Sequence, residues 1–364
     1  VRVYVYPADE YGCGHFRLIW PSRVLQAAGH DIVIVPPSER QSSLQGELKN
    51  DELVGVRIPE DADVVVMQRV THRHLVRAVS LIRDKGVAVV IDMDDDLTRI
   101  HPANPAFGAM HPTHGVKDHS WHNTTRACEN ATLVTVSTPA LAQRYGARGH
   151  ARVLFNCFPE FYLGHEHTDS DVVGWGGAVY SHPDDLQVMG TTVAQLLRAG
   201  GRFRLVGPPT YAHDALGLDD GTELETSGVV DMHEGWPREL AALGIGVAPL
   251  ADTQFNAAKS WLKPLEYAAL RVPCVISPRT EYVRLHRMGQ GVGILAEKPR
   301  HWMARIAALR ASAEMRADVA GRAFETVRDM TIEANAWRWA EVWEQAWLNQ
   351  RQGASVLSRR TFGA

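Results

Sequence analysis

Short apolar runs alternate with amphipathic stretches along most of the chain. VRVYVYP at the start, DIVIVPP, ADVVVMQ and VAVVIDM are rich in β-branched residues and read as strands. Between them FRLIWPSRVLQAAG predicts a helix closed by Gly29, and HRHLVRAVSLIRDKG a helix closed by Gly86. Residues 119 to 130 read as a further helix, ATLVTVS as a strand, PALAQRYG as a helix with Pro139 at its start, and ARVLFN as a strand. Strands separated by helices in this way predict an α/β fold with a parallel, doubly wound sheet.

The periodicity stops over FPEFYLGHEHTDSD, residues 158 to 171, where polar and turn-prone residues mark a linker. It restarts with VVGWGG, then a helix over DDLQVMGTTVAQLLRAG, and continues through FRLVG, PRELAAL, IGVAPL, PLEYAAL, PCVIS, YVRLHRMG and GVGILAE to two helices ending near residue 328. The expected organisation is therefore a Rossmann-like domain over 1–157, the linker, and a second such domain over 172–330. A last helix over 331–352 carries Trp339, Trp343 and Trp347 at i, i+4 and i+8, which places them on one face to pack against a domain, the N-terminal one. Residues 353–364 read as an unordered tail.

The length of 364 residues suits two domains. A net charge of −4 excludes a generally basic, nucleic-acid-coating surface and leaves room for a local basic groove. The four cysteines are scattered without a C-x-x-C pair, which suits reduced thiols. The opening strand lacks the layout of an export signal, and no apolar run approaches the ~18 residues of a membrane span. These features predict a cytoplasmic protein without a membrane partner.

Two doubly wound domains predict a cleft between them, with ligands outside the carboxyl ends of the strands. The chain has 38 basic residues but only six lysines, and two of the six lie in NAAKSWLKPLEYAAL. Pro264 predicts a helix start, because proline lacks the N–H that is unpaired there anyway. Leu265 and the residues after it continue that helix. Its N-terminus offers N–H groups and a positive dipole to phosphate, and Lys259 and Lys263 add full charge. Glu266, in the first turn, suits a pair of hydroxyls such as a ribose diol. Against this stands a plain first-turn carboxylate beside solvated lysines.

The stretch NAAKSWLKPLEYAALRVPCVIS resembles the nucleotide-sugar signature of retaining GT-B glycosyltransferases, glycosyltransferase family 4 above all. GIGVAPL before it is similar to the family's strand ending in Pro-Leu, and LFNCFP, with Asn156, to its interdomain segment. The resemblance implies a GT-B fold, two Rossmann-like domains facing across a cleft, with acceptor on the first and donor on the second. It implies that Glu266 binds the donor ribose and that Lys259 and Lys263 bind its diphosphate. The family's first motif glutamate falls at about Ala258, where Asn256 stands in as a donor contact. In VVGWGGAVYSHPDDL, Gly176 and Gly177 permit close approach of backbone to donor, or simply make a turn. Many relatives hold the diphosphate here with Arg and Lys, whereas this chain has only His182.

In DEYGCGHFRLIW, Gly12 and Gly14 bracket a turn into a helix that begins with His15 and Arg17. These four are the candidate acceptor contacts, and a plain turn is the alternative. VAVVIDMDDDLTRIHP ends a buried strand in Asp92, Asp94, Asp95 and Asp96. Asp92 takes about the place of a histidine near the acceptor hydroxyl in many relatives. A similar Asp-Asp-Asp-Leu run is associated with a bacteriophage branch. The run reads as an acceptor-side base, as a metal-binding D-x-D, or as a solvated helix cap. Asp92, Asp94, Asp95 and Lys263 are thus the catalytic candidates. The histidines, His72, His74, His101, His111, His114, His119, His122, His165 and His167, lack a completing zinc set. The long loop over 100–122 reads as an acceptor-facing lid.

The function expected is transfer of a sugar, with retention and without a metal or prosthetic group, from a nucleotide sugar to a hydroxyl. The donor is taken as a UDP-sugar, with a GDP-sugar second. The acceptor is taken as 5-hydroxymethylated pyrimidine in phage DNA, in host cytoplasm, with the basic helix RVTHRHLVRAVSLIRDK tracking phosphates or forming a solvated face. A protein or glycan acceptor is the alternative. A nucleotide-sugar epimerase or hydrolase and a non-catalytic nucleotide-sugar-binding module are the rival classes.

Overall fold

The computed structural model describes residues 1–111, 119–146, 150–181 and 184–361. They form two compact units. The first gathers Val1–Thr98, Gly108–Asn156 and Ile332–Ala364; the second gathers Arg99–Phe107 and Cys157–Thr331.

In the first unit, β1 (Val3–Tyr6), β2 (Ile32–Ile34), β3 (Gln45–Lys49), β4 (Glu52–Arg57), β5 (Val64–Gln68), β6 (Ala88–Met93), β7 (Leu133–Val136) and β8 (Ala151–Val153) follow in chain order. Six of them make a parallel sheet ordered β2-β1-β5-β6-β7-β8. The strands β1, β5, β6 and β7 are buried at every position, as expected of a parallel sheet flanked by helices. The remaining pair, β3 and β4, is an antiparallel hairpin that the apolar pattern does not announce. All five residues of β3 are exposed, so no core face marks it in sequence. Its turn is Asn50-Asp51, both at positive φ, a conformation these two residue types tolerate.

The helix Trp337–Thr361 packs on β5 and β6. Trp339 and Trp343 are buried, and the Trp339 indole donates to the Arg17 carbonyl at 2.8 Å. The helix continues beyond Gln352 to Thr361, where an unordered tail is expected from sequence; Ala354, Leu357, Arg359 and Arg360 are helix formers in that stretch. Residues 362–364 of that tail lie outside the described residues.

In the second unit, β9 (Val173–Gly176), β10 (Phe203–Val206), β11 (Glu225–Thr226), β12 (Ile245–Ala248), β13 (Cys274–Ile276) and β14 (Ile294–Leu295) form a parallel sheet ordered β11-β10-β9-β12-β13-β14. The chain steps outward from β9 to β11, then returns to the other side of β9 as β12. The order therefore reverses between β9 and β12, and the loops after those two strands flank a crevice where such sheets bind ligands. Trp175, Phe203, Leu186 and Trp302 centre the core of this unit. Both sheets are doubly wound and parallel, as the alternating pattern predicts. No described helix is long and apolar enough to cross a membrane.

Candidate functional site

The helix Leu262–Ala269 lies between β12 and β13, with Trp261 as its N-cap. Pro264 is its third residue, so the helix starts two residues before the position that proline alone suggests. The N-cap and the first three helical residues have no N–H partner within the helix, so proline fits the third as well as the first. One consequence is a correction at Leu265. Its N–H already bonds the Trp261 carbonyl at 3.1 Å and its side chain is fully buried, so it has nothing to offer a donor. Pro264 is buried too.

Glu266 is 3% exposed. Its Oε1 accepts from Tyr162 Oη at 2.9 Å and from Trp236 Nε1 at 2.7 Å. Oε2 accepts no hydrogen bond among the described residues. Burial pushes the carboxyl up to about 7, against the pull of Trp236, Tyr162 and the Lys263 charge. A carboxylate here is held in one orientation by two aromatic donors and titrates near neutrality.

Lys259 and Lys263 are half-buried. The Lys259 ammonium lies 5.0 Å from the Phe255 ring centre, and the Lys263 ammonium 4.7 Å from that of Trp175. Gly176 and Gly177 sit at the end of β9 beside them. A Cβ on Gly176 would meet the Trp236 ring at 3.2 Å, and one on Gly177 the Lys263 ammonium at 3.0 Å. The expected donor residues Lys259, Lys263, Glu266, Gly176 and Gly177 thus come together at the reversal of strand order. His182 lies outside the described residues.

Asn256 has a different task from the one expected. It is buried, and its Nδ2 donates to Asp185 at 2.6 Å and to the Ala251 carbonyl at 3.1 Å. Asp185 also accepts from the Ala251 N–H at 2.9 Å. Burial raises the Asp185 carboxyl, while the Ala251 N–H, Asn256 and the charges of Lys259 and Lys263 lower it. This buried acid therefore ties the loop after β12 to the loop after β9, within the field of both lysines. Arg99–Phe107 belongs to the same unit, and Asn104 donates to the Ser181 carbonyl at 3.4 Å while His101 pairs with Asp184 at 3.1 Å.

In the first unit, the acidic run after β6 is neither solvated nor a helix cap. Asp92 is fully buried and receives Arg17 through two nitrogens, at 3.2 and 2.8 Å, and Thr135 Oγ1 at 2.7 Å. Burial raises the Asp92 carboxyl and Arg17 opposes that rise. Arg17 also bonds Asn156 Oδ1 at 3.0 Å and the Leu154 carbonyl. Asp94 takes Arg69 through two bonds of 2.6 Å, which hold its carboxyl down at about 2 against the cost of burial. Arg69 reaches Asp95 at 3.4 Å, and Arg144 lies 3.7 Å from Asp96. Asp92, Asp94 and Arg17 are hence engaged in buried ion pairs, which corrects their reading as catalytic and acceptor groups. Asp95 is the least buried member of the run, its side chain 16% exposed.

Gly14 is required by sterics, since a Cβ there would sit 1.8 Å from the Asp9 carbonyl. His15 is buried, with Nδ1 2.9 Å from the Tyr11 carbonyl, and Gly12 is half-buried. Among the described residues no group of three or more His, Cys, Asp or Glu side chains is placed to hold a metal ion. Within the loop over 100–122, residues 112–118, including His114, lie outside the described residues.

No protein-family model matches the chain, and no curated protein sequence does. Solved structures do. HepE of Anabaena in complex with UDP superposes with a TM-score of 0.60 at 14% identity, over 95% of this chain and 100% of that one. Its complex with UDP and glucose gives 0.61 at 14% identity, over 93% and 98%. Sucrose-phosphate synthase of Thermosynechococcus elongatus gives 0.63 at 12% identity, over 95% and 99%.

The fold is GT-B. Within that GT-B fold, three residues of the candidate site escape sequence reasoning: Tyr162, Trp236 and Asp185. Tyr162 falls in the segment that reads as linker, and Trp236 lies 30 residues from its partner Glu266. Asp185 carries a weak signal, an acid in the loop after β9 where the resemblance leads one to expect bases.

Proposed function

We propose that the chain is a glycosyltransferase whose second unit holds a nucleoside-diphosphate sugar and passes the sugar to a hydroxyl acceptor. The observation that carries the reading is the short helix bearing both Lys263 and Glu266 at the strand-order reversal of that unit. A fixed carboxylate and a fixed ammonium, three residues apart on one helix, match a ribose diol and the diphosphate attached to it. The complexes of HepE, a protein of the same fold, with UDP and with UDP and glucose support a UDP-sugar as the donor.

In this reading Glu266 Oε2 accepts the ribose hydroxyls while Tyr162 and Trp236 fix Oε1. Lys259 and Lys263 offset the diphosphate charge and stabilise the negative charge that grows on the leaving diphosphate as the glycosidic bond breaks. Helix N–H groups of Leu262 and Lys263 add to that field. Retention of configuration follows from the resemblance to family 4.

The acceptor is read more coarsely, as a hydroxyl compound. The DNA reading leans on the helix Arg73–Asp84, and two of its arginines are already engaged. Arg73 pairs with Asp51, and Arg83 bonds the Asn130 carbonyl at 2.6 Å and Gln350 at 3.1 Å. A protein or glycan hydroxyl is therefore the reading the helix favours. A steep fall of transfer with salt on modified DNA would restore the DNA reading.

The test is release of nucleotide from a panel of UDP- and GDP-sugars, with and without acceptors. We expect UDP release that an acceptor accelerates, cut by roughly 10²- to 10³-fold in Lys263→Ala. Turnover indifferent to every acceptor would point to a hydrolase or epimerase. Binding without turnover would point to a carrier module.

A further inference from the structure

We infer that Trp175 is a positioning residue for the donor diphosphate, acting through Lys263. This rests on the donor site proposed above and adds a residue that neither the motif nor the fold assigns. Trp175 is the third residue of β9 and is fully buried in the core of the second unit. Its ring faces the Lys263 ammonium at 4.7 Å from the ring centre. That distance lies within the range where a ring's negative face attracts a cation. The loop that follows is built to allow the contact. Gly177 has φ of 149°, and a Cβ on it would lie 2.6 and 2.9 Å from two atoms of the Trp175 ring and 3.0 Å from the Lys263 ammonium. Only a glycine leaves room for ring, ammonium and loop together. Gly177 is itself held, because its N–H donates to the Val206 carbonyl at 2.9 Å; Gly207 must in turn be glycine, since a Cβ there would lie 2.2 Å from the Gly177 carbonyl oxygen.

The chemistry follows from what this chain lacks. VVGWGGAVYSHPDDL has no Arg or Lys, so the loop after β9 brings no such cation to a diphosphate. It brings a carboxylate, Asp185, buried and within the field of both lysines. The Lys263 ammonium lies within the field of both Asp185 and Glu266. The Trp175 face supplies an apolar, cation-attracting rest beside Gly177. It holds the ammonium near the loop without neutralising it. The lysine then meets the diphosphate with its full charge and with less side-chain entropy to lose.

The experiment is calorimetric titration of the full chain with UDP, paired with uridine, which shares the base and ribose but has no phosphate for Lys263 to hold. The variants are Trp175→Phe, Trp175→Met, Gly177→Ala and Lys263→Ala, with thermal melts to check folding. Trp175→Phe keeps an aromatic face and is expected to stay within about 3-fold of the parent for UDP. Trp175→Met fills the space without that face and is expected to weaken UDP by roughly 5- to 30-fold while uridine is unchanged. Gly177→Ala removes no core volume and is expected to weaken UDP selectively as well. In the Lys263→Ala background, Trp175→Met should cause no further loss, because the two act as one unit.

Equal loss of UDP and uridine in Trp175→Met and Gly177→Ala would make Trp175 a core residue only and overturn the inference. So would UDP affinity at the parental level in both. If Lys263→Ala itself binds UDP like the parent, it is the donor-site reading that fails.

Discussion

Glu266 joins the proposed ribose contact to a carboxyl raised toward neutral pH, and this makes it the most testable single residue. Its carboxyl is raised by burial from an ordinary value of 4.5 to about 7. Between those two values the folded chain holds a proton that the unfolded chain has released. Stability contributed by this group is therefore present below about pH 4.5 and is lost as pH rises through about 7. We expect urea unfolding to show the parent losing stability relative to Glu266→Gln across that window, by about 3 kcal/mol. Uridine binding should run the other way, strengthening as pH rises through 7 because the ribose hydroxyls donate to the ionised carboxylate. Glu266→Gln should flatten that profile, and a parental profile already flat between pH 5.5 and 8 would contradict the role. That Lys259, Lys263 and Glu266 lie close together was foreseeable in sequence, because lysine is scarce here and a proline marks the helix start. Tyr162 and Trp236 were not, since a hydrogen bond across 104 or 30 residues leaves no local trace.

At the scale of elements, the apolar runs located the sheet strands because a parallel strand buried on both faces must be apolar throughout. The hairpin β3–β4 escaped because its first strand buries nothing. The acidic run after β6 misled for a related reason. Consecutive carboxylates look solvated until their partners are known, and Arg17, Arg69 and Arg144 come from three separate elements. Their pairing ties the end of β6 to the helical turn His15–Ile19, to the turn after β5 and to the helix Pro139–Tyr145. Asp92→Ala strands the Arg17 guanidinium, 1% exposed, without its partner. We expect a loss of roughly 3–5 kcal/mol in denaturant unfolding. A loss under ~1 kcal/mol would mean that water or another acid takes the place of Asp92.

At the scale of the molecule, two doubly wound parallel sheets were legible from the order of elements, with all six strands of the first and five of the six of the second; the two-residue β11 was too short to show. The solved structures that match share that fold at 12% to 14% identity. Identity so low preserves apolar periodicity and little else, which explains why the fold is readable and the acceptor is not. The assignment of Arg99–Phe107 to the second unit was hidden for the same reason, since the segment is polar and aperiodic. The helix Trp337–Thr361 completes the first unit through Trp339, which is buried and bonded to the Arg17 carbonyl. Trp339→Ala should lower the stability of that unit by roughly 3–5 kcal/mol, measured by a thermal melt followed in the near-ultraviolet.

The claim on which the rest depends is that the second unit binds a nucleoside diphosphate with Glu266 on its ribose. Calorimetric titration of UDP into the parent and into Glu266→Ala, at pH 8 where the carboxyl is ionised, tests it directly. Saturable binding by the parent is expected, with a loss of about tenfold or more in the variant, since a hydrogen bond to a charged group contributes about 1.5–3 kcal/mol. Equal affinity of the two proteins for UDP would contradict it.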